Sequence, residues 1–362
     1  QLVTEHTWGM DEKTHLADYE HYAAEAFKAA LELPNFQKFA ASWQEQRAYL
    51  DQAVEALAGT PLQDEARQAL DELRPRRPDP ESWTRVDPYQ PLGAGRFVFG
   101  FNDQGGMAYL RDRTTRRTLA NPDNPLGSLV YQTFSEADYA RFYHQYVVNK
   151  RKTAAWSVDD FTKPGMQNAG AVSREWMPKL ERLYTREAPG AEEFLLWLAL
   201  PAEAVLNYGG PDELFVTVRV PLESARIDFD LQWFEKQACR LPEALWFSFS
   251  PRLPAGGAWE LEKCGGWVSP LDVARNGSRH LHATGEGARW TRGGERLAIR
   301  SLDAPLVAPG QRSLLDFNNR RPALAGGMHF LLFNNLWGTN FPMWFGEDAR
   351  FRFQFELSAA EA

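Results

Sequence analysis

Ile227-Asp228-Phe229-Asp230-Leu231-Gln232-Trp233 alternates apolar and polar side chains without a break. In an extended chain successive side chains point to opposite faces, so this pattern puts one face in a core and the other in water. The same period recurs in Phe351, Phe353, Phe355 and Leu357, separated by Arg352, Gln354 and Glu356, and in Val216, Val218 and Val220, separated by Thr217 and Arg219. Half-wet strands of this kind belong to antiparallel sheets. Phe97 to Phe101 and Phe194 to Leu200 lack the alternation and read as strands buried on both faces. Ser135 to Val147 carries Tyr139, Phe142, Tyr143 and Tyr146 at helical spacing, which predicts a helix lying on a sheet.

Toward the N-terminus the period changes. Leu16, Tyr19, Ala23, Ala26, Phe27 and Ala30 recur at helical spacing, with Asp11 as a cap, and Pro34-Asn35 breaks the chain. A second helix carries Phe36, Phe39, Trp43, Leu50, Val54 and Leu57 up to Gly59. A third starts at Pro61 and carries Leu62, Ala66 and Leu70. Three amphipathic helices joined by tight turns predict a small bundle over residues 1–73. Residues 74–91, RPRRPDPESWTRVDPYQP, hold five prolines in 18 positions, which marks an irregular linker. Residues 92–362 then form the β part. The fold class is α+β by segregation, mainly β: a three-helix bundle followed by an antiparallel sandwich too large for a simple one, hence a supersandwich.

Composition removes several function classes. The chain of 362 residues has a net charge of −8 with both signs interspersed, and its densest basic run is Arg74-Pro75-Arg76-Arg77, so nucleic acid is not an expected partner. The longest apolar run, Phe194 to Leu200, falls far short of the roughly 18 residues of a membrane helix. Cys239 and Cys264 are the two cysteines, without metal-ligand spacing; one disulfide and two buried thiols are the alternatives. The opening Gln1-Leu2-Val3-Thr4-Glu5-His6 has no initiator Met and no signal peptide, and reads as a truncated or processed chain whose compartment is unknown.

Thirteen per cent of the chain is aromatic, and such rings either fill a β core or stack on flat ligand faces such as sugar rings. Phe333-Asn334-Asn335-Leu336-Trp337-Gly338-Thr339-Asn340-Phe341-Pro342-Met343-Trp344-Phe345-Gly346 concentrates the question. Its amides can pair with sugar hydroxyls in both directions while the indoles stack. Alternatively the loop turns on Asn and Gly while its Trp residues plug the core. Asp228 and Asp230 share a strand face that can bind a cation or a sugar, or simply face solvent; Asp159-Asp160 reads either as a carboxylate pair for acid–base chemistry or, more readily, as a solvated loop. Among the histidines, His6 directly precedes a helix, a mount suited to a metal ligand. His15, which shares a helix with His21, reads as surface, and His280 and His282 alternate on a strand, face one way and read as polar surface.

Two stretches carry a resemblance. EHTWGMDEKTHLADYEHYAAEAF (5–27) resembles the start of the helical domain of glycoside hydrolase family 38, the α-mannosidase-like enzymes. DFDLQWFEKQACRLPEALWFSFS (228–250), LDAPLV (302–307) and NNLWGTNFPMWFGEDARFRFQFEL (334–357) resemble the β-sandwich of the same enzymes, in a divergent branch. The resemblance implies a galactose-mutarotase-like supersandwich. It implies His6 as a ligand of a catalytic zinc, although Thr7 stands where the family has Asp. Trp8, Asn334, Asn335, Trp337, Asn340 and Trp344 would shape the sugar pocket.

Nothing in the chain resembles the family's N-terminal domain, which carries the nucleophile and the other zinc ligands. The expectation is therefore the C-terminal portion of a retaining, zinc-dependent hydrolase of α-mannosidase type. Its partners would be a carbohydrate substrate and a catalytic domain of the same polypeptide. The alternatives are a stand-alone carbohydrate-binding sandwich without catalysis and a relative shifted to another sugar or to lyase chemistry.

Overall fold

A computed structural model describes residues 16–149, 152, 161–338 and 341–359. Two ten-stranded antiparallel sheets dominate it. The first runs in the order β1 (Thr84–Val86), β8 (Lys179–Ala188), β9 (Ala191–Ala199), β10 (Glu213–Pro221), β11 (Arg226–Phe234), β20 (Ala349–Ala359), β17 (Glu295–Ser301), β16 (Gly287–Arg292), β13 (Ala258–Lys263) and β14 (Gly266–Val268). The second runs β15 (His282–Ala283), β18 (Leu306–Pro309), β19 (Met328–Asn334), β12 (Glu243–Phe249), β6 (Leu126–Thr133), β4 (Met107–Asp112), β3 (Phe97–Phe101) and β2 (Leu92–Ala94). Beside that path β5 (Thr118–Ala120) pairs with β4 and β7 (Arg174–Trp176) with β6. The chain is mainly β, as the period-two runs predict.

The three alternating runs lie next to one another: β10 pairs β11, and β11 pairs β20. Their apolar faces meet the second sheet in an aromatic seam. Phe229 and Phe353 from the first sheet interlock with Phe247, Phe249 and Phe330 from the second, centroids 5.1–6.2 Å apart. Gly127, at φ +65°, lets the sheets close up there, since an added Cβ would come within 2.7 Å of Phe229. In β3 only Phe97, Phe99 and Phe101 are buried, while Val98 and Gly100 are half-buried, so this strand has a partly wet face after all.

The first helix is shorter than its periodicity. It spans α1 (Ala24–Ala30), because residues 18–22 form a turn whose amides and carbonyls are taken up elsewhere, as described below; the cap expected at Asp11 lies outside the described residues. Pro34 does not break the chain but opens α2 (Pro34–Glu55), at the position where a missing amide hydrogen costs nothing. α3 (Pro61–Leu73) follows. α4 (Glu136–Tyr146) is the helix expected over 135–147, and α5 (Ala202–Tyr208) lies against α1.

These helices do not share one three-helix core. Leu16, Phe27, Ala30, Phe36 and Phe39 close instead around Met343 and Trp344 from the loop after β19, and α3 buries no residue. Nor is the proline-rich stretch free of regular structure. It contains β1, flanked rather than interrupted by prolines, and it is strapped to the first sheet. The Arg76 amide donates to Gln232 Oε1, and Arg77 pairs with Glu213 and Glu235.

His280 and His282, read as surface, are both buried. His282 is held between Lys263 Nζ (3.2 Å) and the Arg279 carbonyl (3.1 Å). Both cysteines are free thiols; Cys239 is buried, but Cys264 stands exposed in a turn.

Candidate functional site

The crossing from β11 to β12, Glu235-Lys-Gln-Ala-Cys-Arg-Leu-Pro-Glu243, carries charge into the interior. Lys236 Nζ donates to Glu243 Oε1 (2.9 Å) and to the carbonyls of Gly209 and Gln237, and neither charged side chain is exposed. Tyr131 donates its hydroxyl to the other Glu243 oxygen. Burial pushes the Glu243 carboxyl above its usual range, against the opposing pull of the Lys236 charge and the Tyr131 hydroxyl. Burial and the neighbouring Glu243 charge push the Cys239 thiol well up, so it is inert. Asn335 completes this frame. Its Oδ1 accepts the Glu243 amide (2.8 Å), and its Nδ2 donates to the carbonyls of Cys239 and Leu241.

Arg240 extends the frame to the N-terminal segment. Its fully buried guanidinium donates to Asp18 Oδ1 (2.9 Å), the Asp18 carbonyl (2.9 Å) and the His21 carbonyl (3.3 Å), and lies 4.3 Å from the Tyr22 ring centre. Lys163 Nζ donates to the carbonyls of Arg240 (2.7 Å) and Met343 (3.1 Å). Tyr22 donates its hydroxyl to the Pro164 carbonyl. Three separate segments are thus fastened to one end of the sandwich.

At that end α4 builds an aromatic array. Ser135 caps the helix, with Asp138 accepting from its amide (2.8 Å). Tyr139 donates its hydroxyl to the Leu336 carbonyl (2.7 Å), which sets the neighbouring Trp337 beside the helix. Phe142 lies 5.5 Å from Trp337 and stacks nearly parallel on Tyr146 at 5.4 Å. Tyr146 meets Phe317 at 5.1 Å, and Phe161 sits 5.5–6.4 Å from Tyr146, Phe142 and Trp337. Tyr146 is 44% exposed and the other four rings are half-buried, so the array keeps faces in reach of solvent. Amides border it: Gln145 accepts the Phe317 amide, Asn318 Oδ1 meets His280 Nε2 at 3.2 Å, and Asn334 Oδ1 accepts the Leu336 amide. Flat apolar faces rimmed by amides can stack on a ring and pair with its hydroxyls.

Of the expected sugar-pocket residues, Trp337 belongs to this array and Asn334 borders it. Asn335 spends its amide inside the buried frame. Trp344 is packed against Trp43 (4.3 Å), Phe27 and Phe36, plugging the helical core. His6, Trp8 and Asn340 lie outside the described residues, as do His15 and Asp159-Asp160. Asp228 and Asp230 are occupied by Arg226 and Arg350. Among the described residues no group of three or more His, Cys, Asp and Glu converges, so these residues do not by themselves fit a zinc ion. No helix among them is long and apolar enough to cross a membrane. A wider groove of about 570 Å³, between Arg252, Trp259, Trp290 and Leu324, lies beyond the opposite end of β12. Its two tryptophans are nearly buried and offer little face.

No curated relative matches the sequence. Solved structures similar in fold include an α-mannosidase from Enterococcus faecalis, 11% identical over 76% of this chain and 30% of that one, with a TM-score of 0.47. A family-38 glycosyl hydrolase protein from the same organism is 11% identical over 76% and 31%, with a TM-score of 0.45. A galactose mutarotase-like protein from Clostridium acetobutylicum is 9% identical over 75% and 95%, with a TM-score of 0.40. The chain spans about a third of the length of the two Enterococcus proteins. Residues 1–228 match the family described as a domain of unknown function, DUF5054, and the chain belongs to that family.

Proposed function

We propose that this chain is the sugar-facing part of a retaining, zinc-dependent glycoside hydrolase of α-mannosidase type, acting with a catalytic domain of the same polypeptide. The observation that carries the reading is the array of Trp337, Phe142, Tyr146, Phe161 and Phe317, with ring faces in reach of solvent and amides at its border. Zinc and the nucleophile would belong to the catalytic domain, with His6 reaching the metal from this chain.

The same array would serve a stand-alone carbohydrate-binding protein. What favours a second domain is the α2–α3 hairpin. Leu50, Leu62, Leu70 and Leu73 are 42–55% exposed on it, an apolar stripe suited to covering by another surface.

Calorimetry with methyl α-mannoside on this chain and on the longer polypeptide tests the proposal. Trp337→Ala is expected to weaken binding by about tenfold, the worth of one aromatic contact. Aryl α-mannoside hydrolysis is expected of the longer protein, and His6→Ala is expected to abolish both hydrolysis and zinc binding. Mannoside binding that ignores Trp337→Ala would sink the site. Glycan binding by a full-length protein that neither binds zinc nor hydrolyses would leave the binding-module reading in its place.

A further inference from the structure

We infer that His21 is a proton-accepting side chain at the same end of the sandwich, offering Nε2 to a hydroxyl-bearing ligand and held in that state by Asp18 and Arg240. Its ligand half rests on the sugar-facing reading above; its imidazole chemistry does not.

His21 Nδ1 lies 2.6 Å from Asp18 Oδ2. The other carboxylate oxygen, Oδ1, accepts three donors: the amides of Glu20 (3.2 Å) and His21 (3.0 Å) and Arg240 Nη1 (2.9 Å). Burial alone would raise the Asp18 carboxyl. The His21 amide and imidazole, the Glu20 amide and the Arg240 charge outweigh it, so this carboxyl sits below its usual range. An ionised carboxylate only accepts, so the proton of a neutral His21 resides on Nδ1. Nε2 is then the lone-pair nitrogen.

The imidazole side chain is 35% exposed, whereas the arginine that fixes its partner is fully buried. The buried guanidinium holds the Asp18 carboxylate together with the Asp18 and His21 carbonyls, so both the acceptor of the ring and the backbone that carries it are fixed in place. The turn also meets the segment that follows Phe161. Tyr22 bonds the Pro164 carbonyl, and Gly165, at φ +97°, packs its Cα side against Tyr19, three and four residues along the chain from Phe161. Arg240 and Asp18 are positioning residues in this arrangement; His21 is the group that meets the ligand.

The test uses the whole chain, labelled with ¹⁵N at its histidines and tryptophans. With the imidazole neutral, two-bond ¹H–¹⁵N spectra should show His21 protonated on Nδ1. Asp18→Asn should reverse this. Its amide oxygen must occupy the Oδ1 position to keep the three donors, which turns the NH₂ toward Nδ1 and leaves the proton on Nε2. Carbethoxylation of His21 should slow severalfold in Asp18→Asn, and methyl α-mannoside should protect the wild-type imidazole while shifting its Nε2 resonance. His21→Gln should weaken mannoside binding severalfold without changing the melting temperature.

A wild-type His21 protonated on Nε2 overturns the inference. So does a His21 indifferent to methyl α-mannoside at concentrations that shift the Trp337 indole resonance. If the mannoside leaves Trp337 itself unmoved, the functional reading fails instead, and the tautomer and its reversal in Asp18→Asn alone decide for or against the inference.

Discussion

The buried frame at the β11–β12 crossing and the open face of the first sheet use the same ions to different ends. On the sheet face Glu193 bridges Arg186 and Arg219, Asp230 holds Arg350, and Arg352 holds Asp303. Glu193 faces Arg219 and Asp230 faces Arg352 across neighbouring strands, and these four line, with Thr217, a shallow depression of about 200 Å³. In each of these pairs at least the arginine is partly exposed and can exchange its partner for water. At the crossing Lys236 and Glu243 cannot, because both side chains are sealed off. Ions in water decorate a strand, whereas ions without water fix how separate segments meet. The end of the sandwich that carries the aromatic array is built on the second kind.

The largest effect should follow from breaking the sealed pair. Glu243→Ala leaves the Lys236 ammonium buried with only two carbonyls, and also removes the acceptor of the Tyr131 hydroxyl. Loss of one partner of such a pair is expected to cost about 3–5 kcal/mol. The joint change Lys236→Met with Glu243→Leu should recover most of that, since no charge remains to be desolvated. Urea midpoints at constant slope measure both. A single substitution costing less than the double would refute the sealed-pair account.

Asp112 tests the middle of the range. Its carboxylate is fully buried, but its partner Arg96 is partly exposed. Burial pushes its pKa up, and the bonds from Arg96, Thr115 and the Thr114 amide overcome this, holding it at about 2 against 3.8 unperturbed. The folded state therefore binds this proton less readily than the unfolded one. The resulting stability is complete above about pH 4 and is lost as pH falls toward 2, about 2 kcal/mol in all. Asp112→Asn should cost a similar amount at pH 7 and flatten the dependence of melting temperature on pH between 4 and 2.

The sequence made the sheets legible and left the frame opaque, for a physical reason. Period-two alternation is local, so Ile227–Trp233 and Phe351–Leu357 announce strands that do pair. Whether Arg240 is buried depends on Asp18, 222 residues away, and no local pattern records that. The Asn-rich loop was legible as unusual but not in its roles. Trp337 reached the array because Tyr139 holds the preceding carbonyl, and Trp344 was drawn into the helical core by Phe27, Phe36 and Phe39. The expected helix is broken over 17–23, where Asp18 captures two backbone amides, a competition that short polar side chains often win. Phe142 and Tyr146 could be read as a helical stripe but not as half of a ring array completed by Phe161 and Phe317.

The smallest effect is expected on the open ladder, and it is the sharpest control. Asp230 accepts two oxygens' worth of bonds from Arg350, yet both side chains keep about a quarter of their surface in water. Such a pair is worth less than about 1 kcal/mol and weakens with salt. Asp230→Asn should therefore barely move the urea midpoint. Arg350→Ala should cost more, because Arg350 also donates to the Glu72 carbonyl at the end of α3 and so helps hold the hairpin on the sheet. The two substitutions remove the same ion pair, and their difference measures that second bond. Equal costs would mean that α3 is held without Arg350, and that the exposed face takes no part in organising the helices.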